Sequence, residues 1–375
     1  MKKLFILFIF IPLFTFAESM YSPTWGFFLD LPEGYEFTDG DGRDRFSFMG
    51  PAGAMFDLVV YDGNYRNMND LVNDVTRRLG NRGDIDFFQY RDRQAAVIEL
   101  IFNDYIGWGL CVELYAAGTH ASQTPPMLLA LAYGPSNLEE LELLHISALD
   151  SICPSIEDRY YPGPIIDYSF PRGRMIPVTL AGGVNALIRE NDAEASQVLI
   201  EREFAVLLMY ADTDYWQEAW IRYYRFIFRD SFDRITNPVS ALVRSWGGFN
   251  AFTDEAKTEF AQRALTFVQG FEYERDFNGS DFLNLVTALT GERGDCDSRS
   301  MLWAFFLVHA DIRAAMMVSR EYGHAMGLAD IPGAGARFES HGVRWLVAET
   351  TAPVNLGLIA QDQSDSEYWL GIIFE

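Results

Sequence analysis

The heptapeptide Gly294-Asp295-Cys296-Asp297-Ser298-Arg299-Ser300 sets a thiol just ahead of an almost wholly apolar run, Met301 to Val308. Gly323-His324 follows, 28 residues after the cysteine, and Ala348-Glu349-Thr350-Thr351 comes last. A thiol, an imidazole and a carboxylate in that order are the parts of a cysteine nucleophile: the imidazole takes the thiol proton, the carboxylate orients the imidazole, and sulfur attacks a carbonyl carbon. Small polar and acidic residues at the start of the apolar run suit the positive end of a helix. That end lowers a thiol's pKa, whereas Asp295 and Asp297 beside it push the other way.

These groups need elements to hold them. The run after Cys296 reads as a buried helix, Ala314 to Ser319 as a strand, and His324 to Asp330 and Val343 to Glu349 as two further strands separated by a glycine-rich loop. If the last two pair as an antiparallel hairpin with equal arms, His324 lies opposite Glu349, with Cβ atoms about 4.5 to 5.5 Å apart. A two-residue slip would remove that opposition. His341, eight residues before Glu349, is the rival imidazole, but it sits beside Gly342 in the loop and reads as exposed. His309, at a helix end, reads as a partner for the last carbonyls. The three Cys and five His lack zinc-ligand spacing, so no metal and no cofactor is expected.

Upstream, the expected class is α+β. Trp25 to Leu31, Arg45 to Met49, Met55 to Tyr61, Ala95 to Phe102, Trp108 to Ala116 and Met127 to Tyr133 read as strands of an antiparallel sheet. Two helices accompany them. Met68, Leu71, Val72, Val75 and Leu79 share one face of the first, which Gly80 ends. Ser136-Asn137-Leu138-Glu139 reads as a capping box opening the second. Asp39 to Asp44 alternates acids with glycines, but Arg43 and Asp44 occupy the fifth and sixth places of an EF-hand loop, so a solvated turn is expected. The proline- and aromatic-rich stretch Tyr160 to Arg174 marks a boundary, followed by helices at Ala193 to Tyr210 and Tyr215 to Phe228. Another opens at Asn237-Pro238, and Thr253 to Gln269 and Ser280 to Thr290 complete the series. Trp216, Trp220, Tyr223, Tyr224 and Ile227 form an aromatic stripe that reads as core rather than as a saccharide groove. The expected organisation is 1–17 leader, 18–158 sheet domain with two helices, 159–249 mostly helical, and 250–375 a helix-plus-antiparallel-sheet core.

Met1-Lys2-Lys3 followed by the apolar Leu4 to Phe16 reads as a signal peptide cleaved near Ala17. An export compartment, periplasmic or extracellular, follows as the expectation, with no membrane span in the mature chain. The formal charge is −24, and −26 without Lys2 and Lys3; such a surface repels phosphate backbones and argues against nucleic acid as a partner. In an oxidising compartment Cys111 and Cys153 are either a disulfide or two reduced, buried thiols, and Cys296 is the odd one out in both cases. Asn278-Gly279-Ser280 is a glycosylation sequon.

Gly-Asp-Cys-Asp at a helix start, the downstream His and Trp345-Leu346-Val347-Ala348-Glu349-Thr350-Thr351 resemble the transglutaminase-like cysteine superfamily over about residues 250 to 360. The resemblance implies a papain-like core in which Cys296 is the nucleophile, His324 the general base and Glu349 the orienting acid. Tyr273 would then assist the oxyanion. Two departures stand out: Glu replaces the usual Asp, and the segment after His324 lacks the common His-Ala-Trp-Val-Glu pattern. The first region resembles PsbP/Mog1-type domains, on layout and a Leu31-Pro32-Glu33-Gly34 opening alone. The expectation is an exported, thiol-dependent acyl-transfer enzyme acting on amides of a peptide or protein substrate, chiefly by hydrolysis. The alternative is a catalytically inactive module of the same fold that binds or assembles in the cell envelope.

Overall fold

The computed structural model describes residues 20–115, 124–275 and 279–374, and these form a mixed α+β chain. The leader segment 1–17 and Asn278 of the sequon lie outside the described residues. After a short pair, β1 (Met20–Tyr21) and β2 (Phe28–Leu29), seven strands make one antiparallel sheet. They are β3 (Glu36–Gly40), β4 (Arg45–Met49), β5 (Met55–Tyr61), β6 (Ile85–Tyr90), β7 (Arg93–Phe102), β8 (Tyr105–Glu113) and β9 (Met127–Pro135). Their spatial order is β3-β4-β5-β9-β8-β7-β6. Helix α1 (Met68–Leu79) is held at its start by Asn67, whose Oδ1 accepts the Asp70 N–H at 2.8 Å, and at its end by left-handed Gly80. It packs Met68, Leu71, Val72 and Val75 onto one sheet face, while α2 (Glu142–Asp150) packs Ala148 and Leu149 onto the other. A sheet covered on both sides needs apolar residues at successive positions, which is why β7 to β9 lack clean alternation.

Cys111 belongs to the α1 layer, whereas Cys153 follows α2 and bridges Phe28 through its backbone; both thiols are free and buried. The Ser136 capping box does not form. Instead the Ser136 N–H donates to the Asp104 carbonyl at 2.8 Å, extending the end of the β8–β9 pair, and α2 begins only after a 3₁₀ turn at Glu139–Leu141. At the Asp39–Asp44 turn, Asp41 Oδ1 accepts the N–H groups of Arg43, Asp44 and Arg45, which is a solvated turn closed by its own backbone.

The middle of the chain holds α3 (Pro164–Ser169), a hairpin of β10 (Met175–Leu180) and β11 (Val184–Arg189), α4 (Asp192–Leu208) and α5 (Trp216–Ser245). The β10–β11 hairpin interrupts the helices of 159–249. Helix α5 is a single 30-residue helix that runs through Pro238, where a new helix was expected to open. Proline removes one helix hydrogen bond. Here Ile235, Pro238, Val239 and Leu242 are all buried, and the Asn237 side chain serves the hairpin by accepting the Leu187 N–H at 2.8 Å. Packing on both sides of the proline outweighs the lost bond.

Buried arginines tie this segment to the sheet domain. Arg222 donates to the Asp30 carbonyl at 2.9 Å, Ser147 Oγ at 2.9 Å and Glu203 Oε2 at 3.0 Å. Arg229 donates to the carbonyls of Tyr161, Asp150 and Ile152 at 2.9 to 3.1 Å.

The last third contains α6 (Asp254–Gln269), β12 (Glu272–Tyr273), α7 (Leu285–Gly291), β13 (Arg293–Gly294) and α8 (Cys296–His309). A five-stranded antiparallel sheet follows, from β14 (Ala314–Ser319), β15 (His324–Ala329), β16 (Arg337–Ser340), β17 (Val343–Ala348) and β18 (Leu370–Ile373), ordered β16-β17-β15-β14-β18. Helix α8 is buried from Ser298 to Leu307 against one face, and Met317, Met326, Leu328, Trp345 and Trp369 cover the other. Gly327 makes the close approach of helix and sheet feasible, because a Cβ there would lie 2.3 Å from the Trp303 ring. Strands β16 and β18 were not legible beforehand. No helix among the described residues is long and apolar enough to cross a membrane.

Candidate active site

Cys296 occupies the first helical position of α8. Asp295 is the N-cap, its Oδ1 accepting the Ser298 N–H at 2.7 Å and the Ser298 hydroxyl as well. Gly294 precedes it with φ 151°, a conformation open to glycine, and a Cβ there would meet Ser298 Oγ at 3.2 Å. Buried Arg299 staples this entry: its Nε donates to the Gly294 carbonyl at 2.9 Å and its Nη2 to the Phe271 carbonyl at 2.8 Å. The thiol is therefore fixed by backbone on both sides, and it is buried.

His324 begins β15, and its Nε2 lies 2.8 Å from Glu349 Oε2. The contact exists, but not through the expected register. Strand β17 pairs with β15 as Gly327 to Ala348, Leu328 to Val347 and Ala329 to Leu346. One step further along this register, Glu349 falls opposite Met326, so the hairpin is displaced by two residues from the equal-arm arrangement. A shift of two keeps every side chain on its original face. Glu349 is thus the diagonal neighbour of His324, at a separation long side chains can span. The extra methylene of Glu over Asp supplies that reach. The equal-arm hairpin failed because β16 intervenes and forms the tight turn with β17, Ser340 pairing with Val343.

Glu349 is itself restrained. Its Oε1 accepts both the Thr351 N–H and the Thr351 hydroxyl at 2.6 Å, and its main-chain carbonyl accepts from Gln269 Nε2 at 2.8 Å. Burial pushes this carboxyl up, but the hydrogen bonds from His324 and Thr351 outweigh it and hold it below its ordinary value. An anionic Glu349 on Nε2 leaves Nδ1 as the ring nitrogen available to a thiol or substrate.

The thiol's surroundings are less accommodating. Burial pushes the Cys296 pKa up, and Asp297 and Asp295 push it further; the Ala325 backbone N–H and Arg275 pull it back. At rest the group is a thiol, 3.8 Å from Asp297 Oδ2. Asp297 Oδ1 accepts the Tyr224 hydroxyl at 2.8 Å, and burial raises the pKa of both Asp297 and Asp295. Asp295 Oδ2 is buried with no hydrogen-bond partner among the described residues. The Ala325 N–H, in the residue after His324, is close enough to favour a negative sulfur, which sets Cys296 near the start of β15.

The structure therefore brings Cys296, the start of β15 and Glu349 into one locality. Tyr273 lies close by, since β12 pairs parallel to β13 with Tyr273 against Gly294, and its ring sits over the Arg299 guanidinium at 5.3 Å. The ring is half exposed, and burial pushes its hydroxyl up to about 12. His341 is exposed at the β16–β17 turn, bonded to Ser340, at the opposite end of β17 from Glu349. His309 is stacked on Phe232 and meets the Phe305 carbonyl at 2.9 Å.

Sequence reading missed Tyr224, Gln269 and Trp369, whose ring centroid lies 6.3 Å from that of His324. Tyr224 was read as core, which it is; no local signal ties its hydroxyl to an aspartate 73 residues away. Among the described residues no group of three His, Cys, Asp or Glu is placed to hold a metal ion. No family model matches this chain, and no curated protein matches it in sequence.

Proposed function

We propose that the chain is a transglutaminase-like, thiol-dependent acyl-transfer enzyme that hydrolyses amide bonds of a peptide or protein substrate. The observation that carries this reading is the anionic, doubly anchored Glu349 bonded to His324 Nε2 beside a thiol at a helix N-terminus. A carboxylate on Nε2 fixes the ring and stabilises its protonated form, the orienting role in cysteine and serine triads. In this scheme His324 takes the Cys296 proton as sulfur bonds to the amide carbonyl carbon. The C–N bond then breaks as the imidazolium protonates the leaving amine, and water, deprotonated by His324, attacks the thioester and releases the acid and free thiol. The α8 N-terminus and the Ala325 N–H stabilise negative charge on sulfur, and Tyr273 serves the developing oxyanion. Because the resting group is a thiol, proton removal is coupled to attack. Export is the compartment proposed with this reading.

The test is turnover of a peptide library by wild type and Cys296→Ala, together with Cys296 alkylation by iodoacetamide in wild type and His324→Ala. Loss of turnover in the first variant and slower alkylation in the second are expected. Turnover by Cys296→Ala equal to wild type, or alkylation indifferent to His324, would sink the proposal.

One observation favours a second reading, an inactive binding module. Cys296 is buried and faces an aspartate as well as the imidazole strand, so the site holds its proton tightly. That reading requires the cellular role to survive Cys296→Ala, and a null phenotype from this single change would count against it.

A further inference from the structure

Away from Cys296, a cavity of ≈ 490 Å³ opens where the sheet domain meets the helical segment. Three separate stretches line it: the end of β6 with the turn to β7, the connector containing Tyr161 to Arg172, and Arg189 at the end of β11. The lining is chemically divided. Phe88, Tyr161 and Tyr168 supply aromatic surface, and Arg91, Arg172 and Arg189 supply three guanidinium groups.

These walls are held by tertiary contacts and not by a loose loop. Tyr90 donates to the Pro162 carbonyl at 2.8 Å, and Tyr168 donates to Asp86 at 2.7 Å while packing on Phe88 with centroids 5.1 Å apart. Arg91 lies 3.6 Å over the Tyr161 ring and pairs with Asp158. A preformed, mostly apolar hollow with a few convergent polar groups is the usual form of a small-molecule site.

The guanidinium groups are unequally satisfied. Arg91 and Arg172 have carboxylate partners, in Asp158 and in Asp233 with Asp192. Arg172 Nε is nonetheless buried without a hydrogen-bond partner among the described residues. Arg189 makes no ion pair among the described residues; its Nη1 reaches only the Gly173 carbonyl, at 3.3 Å. In a chain of formal charge −24, an arginine left without a carboxylate beside a cavity is conspicuous, because acids outnumber bases 53 to 29. Asp167 is the single carboxylate in the lining. Burial pushes it up to about 6 against the pull of Arg172 and Arg234, and those two guanidinium groups offset its charge beside the cavity.

We infer that this cavity is a binding site for a small oxyanion-bearing organic ligand, a carboxylate or phosphate monoester with an aromatic or similarly flat apolar body. The planar guanidinium forks match the two or three oxygens of such a head group. The aromatic side receives the body. This site is independent of the chemistry proposed for Cys296 and shares none of its residues.

The experiment is calorimetric titration of the full chain with phenyl phosphate, benzoate and inorganic phosphate, repeated on Arg189→Gln and on Arg77→Gln. Arg77 is an exposed arginine on α1 and serves as the charge control. We expect saturable binding of phenyl phosphate or benzoate to wild type, tighter than that of inorganic phosphate. Arg189→Gln should weaken it at least about tenfold, the loss of one charge-assisted pair, with an unchanged melting temperature, and Arg77→Gln should leave it intact. Tighter phenyl phosphate identifies a phosphate ligand, and tighter benzoate a carboxylate. Absence of saturable binding, inorganic phosphate binding as tightly as the aromatic anions, or equal losses in both variants would overturn the inference.

Discussion

The junction between the sheet domain and α5 and the locality around Cys296 both bury charge, and they treat it in opposite ways. At the junction, Arg222, Glu203, Arg202, Asp150 and Arg229 form a connected network in which guanidinium groups meet carboxylates or carbonyls at 2.7 to 3.1 Å. Around Cys296, Asp295 and Asp297 lie side by side without a basic ion-pair partner among the described residues. One Asp295 oxygen has no hydrogen-bond partner among the described residues, and the thiol is pushed away from ionisation. Compensated charge holds two layers in one arrangement. Uncompensated charge makes protonation states responsive to a neighbour or a substrate, which is where perturbed titrations concentrate. The difference distinguishes structural from chemically poised polar burial within one chain.

Removing compensation should do the most damage. Arg222→Ala leaves buried Glu203 with Arg202 as its one guanidinium partner among the described residues and strips the Asp30 carbonyl and Ser147 of a buried donor, and it is expected to destabilise the fold by about 3 to 5 kcal/mol in urea titrations. A single variant as stable as wild type would show that the junction is not held by this pair.

Glu33 is the exception at the same junction. It is buried with Oε1 unpartnered among the described residues, and burial pushes it up to about 7 although Arg222 pulls it down. Below the ordinary value of 4.5 the carboxyl is protonated in both states. Between that pH and about 7 the unfolded chain ionises while the folded chain keeps the proton, so stability declines as pH rises and the loss is complete above the folded value. Glu33→Gln should therefore flatten the profile and gain on the order of 3 kcal/mol at about pH 8. An unchanged pH profile of the melting temperature would contradict this.

The smallest effect is expected at the poised site. Asp297→Asn removes an acid that opposes thiolate formation, so iodoacetamide should alkylate Cys296 severalfold faster at neutral pH, with the thiol pKa lowered. Slower alkylation would mean that Asp297 helps accept the proton, which would move the proposed base from His324 to the aspartate.

Much of the architecture was legible because its signals are local. Asn67 and Gly80 bracket α1 as the periodicity requires, Thr253 caps α6, and Cys296 stands at the start of a buried helix because Gly294-Asp295 can only introduce one there. Arg45–Met49, Met55–Tyr61 and Ala314–Ser319 were readable as strands to the residue. Edge strands were not: β3 is exposed along its whole length, and neither β16 nor β18 has a pattern longer than four residues. The Pro238 restart and the Ser136 cap were sound local signals overruled by distant partners, the core around α5 and the carbonyl of Asp104.

By itself, then, the sequence determined the thiol's helix N-terminus, the strand that His324 begins, the strand that ends just before Glu349, and the common face on which those two side chains project. Periodicity and capping depend on neighbours a few residues apart, and a slip of two in register cannot change a face. Only the tertiary structure decided that Glu349 reaches His324 diagonally, that Asp297 finds Tyr224, and that three arginines from distant segments meet around one cavity. Those contacts depend on how layers dock, and the docking energy is spread over the whole core, with no local stretch of residues encoding it.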